Sequence, residues 1–280
     1  MTEKIYVPPI KIQGIKTKLV QLIKQNISLE KNTLWIEPFM GSGVVGFNVR
    51  PERAIFADIN PHIINFYNAV KSGAVTSEIV KVFLDDYGSK LASDGENFYY
   101  AVRESFNASH NPLEFLFLNR SCFNGMIRFN KDYCFNVPYG HKPYRFTKAY
   151  ITKIANQVKY VEACLSVYDW EFICQPFEKT IAMAKFDAFI YCDPPYIGRH
   201  VDYYDSWDEC REEKLCTLLR KAGCKFMLST WDYNAYRNND YISKIWNFCR
   251  KINHEHFYHV GAKEANRHPI TEALLTNYQL

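Results

Sequence analysis

The segment from Thr33 to Ile59, TLWIEPFMGSGVVGFNVRPERAIFADI, limits the fold more than any other. An apolar run, TLWIEPF, reads as a short buried strand and ends at a Gly-x-Gly turn. GSGVVGFNV then turns into a helix. A second apolar run, AIFADI, reads as another strand, and Asn60-Pro61-His62 opens a helix with proline suited to its first turn. Strand, glycine turn, helix, strand is a βαβ unit.

The glycine turn narrows the ligand. A Gly-x-Gly between strand and helix lets the backbone come close to a bound molecule. Gly41 to Gly46 fits GxGxxG, which formally allows a dinucleotide, and no GxxxxGK[ST] is present. Asp58 ends the next strand, where a carboxylate can hold two ribose hydroxyls. The plainer reading makes Gly43 a packing glycine and Asp58 a helix cap. By itself the motif indicates an adenosine-type cofactor in a Rossmann-like sheet.

Later in the chain, DAFIYCDPPY ends a third apolar run with an acid, two prolines and a tyrosine. Ligands of open parallel sheets sit beyond the carboxyl ends of the strands, so Asp193 falls on that rim. Pro194 has no N–H and fixes its own backbone. Its carbonyl and the Asp193 carboxylate can then serve as two acceptors, with the Tyr196 ring face beside them. Two acceptors and a ring suit an aromatic amine whose lone pair is delocalised. Hydrogen bonds from both amine hydrogens push its nitrogen towards tetrahedral geometry, and the ring can stack on a flipped base.

Between these motifs the pattern changes. Helical stretches (SEIVKVFLDDY, PLEFLFLNRSCF) alternate with polar, aromatic-rich loops. The expectation is an α/β core in two pieces, 1–70 and 161–280, with a mostly helical insertion over 71–160. Further strands are expected at KFMLST, EHFYHV and EALLTNY. Net charge is +4, yet Arg120 to Tyr160 holds eight Lys or Arg, one acid and nine aromatics. That local charge of +7 is the footprint of a polyanion-binding face.

These pieces together resemble the Dam-like, α-group DNA adenine methyltransferases, over nearly the whole chain. KIQGIK (Lys11 to Lys16) is similar to the family's N-terminal cofactor segment, EPFMGSG to its methionine-side loop, and ADIN to its ribose-binding acid. NRSCFNGMIRFN and FNVPYG, within Asn119 to Gly140, are similar to the part that reads DNA. The resemblance implies a Rossmann-like S-adenosylmethionine-dependent sheet with an inserted target-recognition domain. It implies S-adenosylmethionine as cofactor, double-stranded DNA as partner, no metal, and methylation of adenine N6. PPIKIQGIKTKLV and DPPYIGRHVDYY suggest a GAT-containing site such as GATATC. That context implies the modification half of a restriction-modification system, with an endonuclease acting on the same site without a stable complex.

By position, the resemblance assigns Asp193, Pro194 and Tyr196 to catalysis. Ile12 (through its backbone), Lys16, Phe39, Gly41, Gly43, Asp58, Phe177 and Asp193 fall to the cofactor. Lys11 and Arg128 would reach guanine edges, Phe123 would intercalate, and Asn124 and Pro138 would share the DNA-facing surface. The chain departs from the family pattern at Ile12, where an aromatic is common, at Ile15, where a glycine is usual, and at Gln175-Pro176, which replaces Gly-Asp before Phe177.

Other features carry less. Nine cysteines without a CxxC pair, and an N-terminus without an apolar signal segment, point to free thiols in a bacterial or phage-encoded cytoplasmic protein. No apolar run reaches the length of a membrane span. His254, His256 and His259 are candidates to meet a metal, Lys263 and Arg267 could meet phosphates, and Trp231 could border a base pocket or fill core. A catalytically silent DNA-binding module, a methyltransferase for another planar amine such as cytosine N4, and a nicotinamide-dependent reductase remain open on residues alone.

Overall fold

The structure is a computed structural model that describes residues 4–197, 207–234, 236–257 and 269–279. One sheet organises them. Its strands are β1 (Leu34–Glu37), β2 (Arg53–Asp58), β3 (Asp169–Cys174), β4 (Phe189–Cys192), β5 (Lys225–Asn234), β6 (Arg250–Phe257) and β7 (Pro269–Thr276), in the spatial order β3-β2-β1-β4-β5-β7-β6. The first five positions pair in parallel. The last two do not, because β7 runs antiparallel between β5 and β6. The Rossmann-like sheet expected of the sequence thus carries an antiparallel pair of strands at one edge.

Strand order reverses at β1. From there the chain steps outward through β2 and β3 on one side, then returns to β4 and β5 on the other. The loops leaving β1 and β4 thus open side by side at the switch point, where such sheets bind ligands. Both strands are nearly wholly buried, so the loops leave a rigid base.

β3 was absent from the strands expected of the sequence. Its residues DWEFIC alternate, with Trp170 and Phe172 buried and Asp169 and Glu171 exposed. It is the sheet edge beside β2, so one face meets water and charged residues interrupt the apolar signal.

Helix α1 (Val20–Gln25) precedes β1, α2 (Val44–Val49) connects β1 to β2, and α3 (Pro61–Lys71) follows β2. Pro61 does occupy the first turn of α3, and Asn60 caps it by accepting from the His62 and Ile63 amides. Between α3 and β3 come α4 (Ser77–Ser109), α5 (Pro112–Ser121), a 3-10 turn (Phe123–Gly125) and α6 (Lys148–Leu165). Gly95, at φ +55°, interrupts α4. These helices share the sheet's core: Leu84, Phe117 and Ile154 belong to the apolar cluster that holds Trp35, Phe56 and Tyr67.

The N-terminal segment is an extended strap across this helical layer. Tyr6 stacks on Tyr160 at 3.8 Å, and its N–H and C=O both pair with the Asn48 amide. Arg120 is buried and donates to the Pro9 carbonyl. Asn119 pairs with both backbone groups of Lys11. The strap, although remote in sequence, is thereby fixed on α2, α5 and α6.

Helix α2 packs on the sheet through Gly46. A Cβ there would lie 2.2 Å from the Phe56 ring and 2.6 Å from Glu37 Oε2. Gly46→Ala should therefore lower unfolding free energy by about 1–3 kcal/mol. Urea denaturation reads this directly, and wild-type stability would show that α2 can shift without cost.

Candidate active site

Asp193 is the first residue after β4, and Lys16 reaches it from the strap. The Lys16 ammonium lies 2.9 Å from Asp193 Oδ1, with Lys16 5% exposed. It also donates to the Gly14 carbonyl at 2.8 Å, across a turn in which Gly14 has φ +75°. The Lys16 ammonium is thus shared between the Asp193 carboxylate and the Gly14 carbonyl. Burial pushes the Asp193 carboxyl up to about 6, the Lys16 cation opposes the rise, and the Glu272 carboxylate adds to it. Without Lys16 the acid would hold its proton near neutrality.

The glycine loop lies alongside. Gly41 has φ +49° and Gly43 has φ +76°, conformations that L side chains rarely adopt. A Cβ on Gly43 would also lie 2.7 Å from the Phe47 ring, so it serves both packing and turn. Ile12 packs its side chain over Gly41, 3.1 Å from where a Cβ would stand. Asp58 is not the cap of α3, since Asn60 does that work. Its Oδ2 instead accepts from the Gly41 N–H and its Oδ1 from the Asn60 N–H, both at 2.9 Å. One acid therefore ties the loop after β1 to the end of β2. Burial raises its pKa while those amides restrain the rise.

Two acids that sequence reasoning passed over are built into the same region. Glu37 ends β1, 2% exposed, and its Oε2 accepts from Trp35 Nε1 and the Gly46 N–H. Burial lifts it to about 8. Glu272 on β7 is 1% exposed and accepts the Tyr196 hydroxyl at 2.5 Å. The signal for both was an acid inside an apolar strand. Tyr196 itself faces the Lys16 ammonium at 4.8 Å from its ring centre. Trp231, buried, donates its indole N–H to the Ile197 carbonyl at 3.0 Å, so it fills core while holding the loop after β4. Phe39 and Phe177 stack at 5.3 Å, and Trp207 meets both rings.

The residues expected to face DNA cluster elsewhere. Phe123 is 50% exposed, its N–H bonded to the Pro138 carbonyl at 2.9 Å. Asn124, at φ +53°, and Pro138 are exposed on the same tip. Lys11 reaches this turn, since a Cβ on Gly125 would lie 2.7 Å from its Cδ. Arg128 donates from Nε to Asn136 Oδ1 at 2.9 Å and from Nη2 to the Asn136 carbonyl at 3.4 Å. The basic segment is less available than its charge suggests. Arg120 is internal, and Arg145 donates to the Arg120 carbonyl and the Tyr150 hydroxyl. The five lysines of the segment, Lys131, Lys142, Lys148, Lys153 and Lys159, are exposed. The His256 side chain, His259, Lys263 and Arg267 lie outside the described residues. Among the described residues no group of His, Cys, Asp and Glu is placed to hold a metal, and no helix is long and apolar enough to cross a membrane. All nine cysteines are free.

A family model described as D12 class N6 adenine-specific DNA methyltransferase matches residues 13–266, a span that includes Lys16, the glycine loop, Asp58 and Asp193 to Tyr196. The chain belongs to that family. The DNA adenine methylase of Haemophilus influenzae is 39% identical over 197 residues, covering 68% of this chain and 63% of that protein. The type II methyltransferase M.MjaIII of Methanocaldococcus jannaschii is 30% identical over 85% of this chain and 87% of its own length. The type II methyltransferase M.FokI of Planomicrobium okeanokoites is 28% identical over 96% of this chain and 42% of its own. The chain thus spans less than two thirds of the Haemophilus relative. Membership agrees with the Rossmann-like sheet and with the order glycine loop, helical segment, Asp-Pro-Pro-Tyr.

The ion pair makes a titration prediction. Lys16→Met removes the cation that opposes burial, so the Asp193 pKa should rise above about 6. Carboxyl NMR of Asp193 against pH measures it, and an unchanged curve would mean that Lys16 does not hold the charge. Because folding raises this pKa from 3.8, ionising Asp193 costs stability as pH climbs towards 6.

Proposed function

We propose that the chain is a sequence-specific DNA adenine methyltransferase, transferring a methyl group from S-adenosylmethionine to the N6 amine of a flipped adenine. The observation that carries this reading is Asp193. It is a half-buried carboxylate at the switch-point rim, paired with Lys16 through Oδ1 and next to a backbone-fixed Pro194 and the Tyr196 ring. An amine hydrogen of the base would be accepted by the carboxylate oxygen that Lys16 does not hold. The Pro194 carbonyl is the second acceptor, and the Tyr196 ring is the stacking surface for the base.

The residues present fit the cofactor. Gly41 and Gly43 keep the loop free of side chains, and Asp58 holds that loop by its amide. Asp58 would hold the ribose, Lys16 and the Ile12 backbone would line the pocket, and Phe39 and Phe177 would form its aromatic wall. S-adenosylmethionine, when bound, supplies a methyl group on a cationic sulfur. Lys16, Asp193 and Glu272 together suit that cation, because two acids and one base leave the pocket net negative when all are ionised. The chain's remaining contribution is placement of the two reactants, which can supply much of the rate.

Residues 71–160 would read the DNA. Phe123 would enter the base stack, with Asn124 and Pro138 beside it. Lys11 and Arg128 would reach guanine edges, and Asn136 would hold the Arg128 fork in one orientation. By resemblance the site contains GAT, with GATATC the first sequence to test. The setting would be a restriction-modification system in the cytoplasm, beside an endonuclease of the same specificity.

Incubation with duplex DNA and methyl-labelled S-adenosylmethionine, followed by single-molecule sequencing, tests the base and its context together. Label in cytosine, or none, would overturn the proposal. Asp193→Ala should abolish transfer while DNA binding largely persists. Transfer by the wild type should decline as pH falls through about 6, where Asp193 takes a proton. Arg128→Ala should relax discrimination at one guanine by about 1–3 kcal/mol. A uniform loss across sequences would instead mark Arg128 as a phosphate contact.

A further inference from the structure

Asp193, Pro194 and Tyr196 lie on a loop, and loops position side chains less well than strands do. The structure suggests how this loop is made firm. In the sheet, Trp231 of β5 and Glu272 of β7 are direct register partners. Trp231 Nε1 donates to the Ile197 carbonyl at 3.0 Å, and the Glu272 carboxylate accepts the Tyr196 hydroxyl at 2.5 Å. One rung of the antiparallel part of the sheet thus grips two consecutive residues of the loop. Both gripping side chains are buried, Glu272 to 1% and Trp231 to 5% exposure. A register irregularity in the β5–β7 pairing begins at this rung, between Trp231 and Tyr233, and bulges of this kind re-aim side chains.

The grip continues into the charged centre. The Tyr196 ring that Glu272 holds by its hydroxyl also faces the Lys16 ammonium at 4.8 Å, and Lys16 contacts Asp193 at 2.9 Å. The ring is therefore held at its far end, through the hydroxyl, by a buried side chain of the sheet. The Glu272 charge suits the proposed cofactor pocket, and its bond to the Tyr196 hydroxyl is a separate, geometric contribution.

We propose that Glu272 is a positioning residue for Tyr196, holding the ring at the angle at which it receives the target base. The inference rests on the proposed function, and its test separates the two. The variants are Glu272→Ala, Glu272→Gln, Tyr196→Phe and the double variant Glu272→Ala/Tyr196→Phe. Each is assayed for turnover and KM on a duplex site methylated by the wild type. A second duplex carries 2-aminopurine at the target adenine, so that fluorescence reports stacking of the flipped base.

Glu272→Ala should lower kcat on the order of 10²-fold with KM for DNA little changed, and it should alter the 2-aminopurine signal. Glu272→Gln retains an acceptor and should recover much of kcat. Tyr196→Phe keeps the ring and loses the bond, so the double variant should be no slower than Glu272→Ala. Independent, multiplicative losses would overturn the proposal, as would an unchanged 2-aminopurine signal in Glu272→Ala. If Glu272→Ala fails to fold, the comparison of Glu272→Gln with Tyr196→Phe decides: wild-type kcat and fluorescence in both would overturn it. A wild-type protein without adenine transfer would overturn the reaction itself, and the positioning role with it.

Discussion

An ion pair between residues far apart in the chain is the constraint on which the rest of the site depends. Lys16 and Asp193 are 2.9 Å apart, and the buried Lys16 ammonium needs a carboxylate beside it. To bring Lys16 there, the strap must lie against α2, α5 and α6, and Tyr6, Pro9 and Lys11 are each bonded to hold it. To bring Asp193 there, β4 must be central and end at the switch point. The pair therefore couples the helical layer to the sheet through the one place where chemistry is proposed.

The acids of the site divide by how they are held. Asp58 and Glu37 accept backbone or indole N–H groups that link β1, α2 and β2. They keep the glycine loop in a shape its positive φ angles alone would not fix. Asp193 faces a cation and Glu272 a phenol. A polar group taken from water needs a partner, so each arrangement is a different way of meeting one need. In the region proposed to meet DNA, the same need is met in reverse. Arg120 is buried among carbonyls and serves the strap, while Arg128 is fixed by Asn136.

Much of the core was legible because period and punctuation agree there. The βαβ unit, the Pro61 start of α3 and the strand before Asp193 each combine an apolar run with a glycine, proline or acid at its end. The edge strand β3 was not legible, since a half-exposed strand mixes Glu171 with Trp170 and Phe172 and loses its apolar signature. Counting charge over Arg120 to Tyr160 overstated the free basic surface, because a count cannot separate a guanidinium pairing with backbone from one facing water. Family resemblance supplied roles for Phe123 and Arg128; spacing alone would not have.

The sequence by itself determined the local conformations: where strands end, where only glycine or proline fits, and that an acid follows β4. Those follow from short-range sterics and hydrophobic period, which act within a few residues. Only the tertiary structure decided the partners. Nothing in the order of residues places Lys16 on Asp193, Glu272 on Tyr196, or Trp231 on Ile197, because those contacts join segments far apart in the chain and exist only once the sheet order is set. Burial then turns them from incidental neighbours into requirements, since a charge or N–H removed from water must find its partner there.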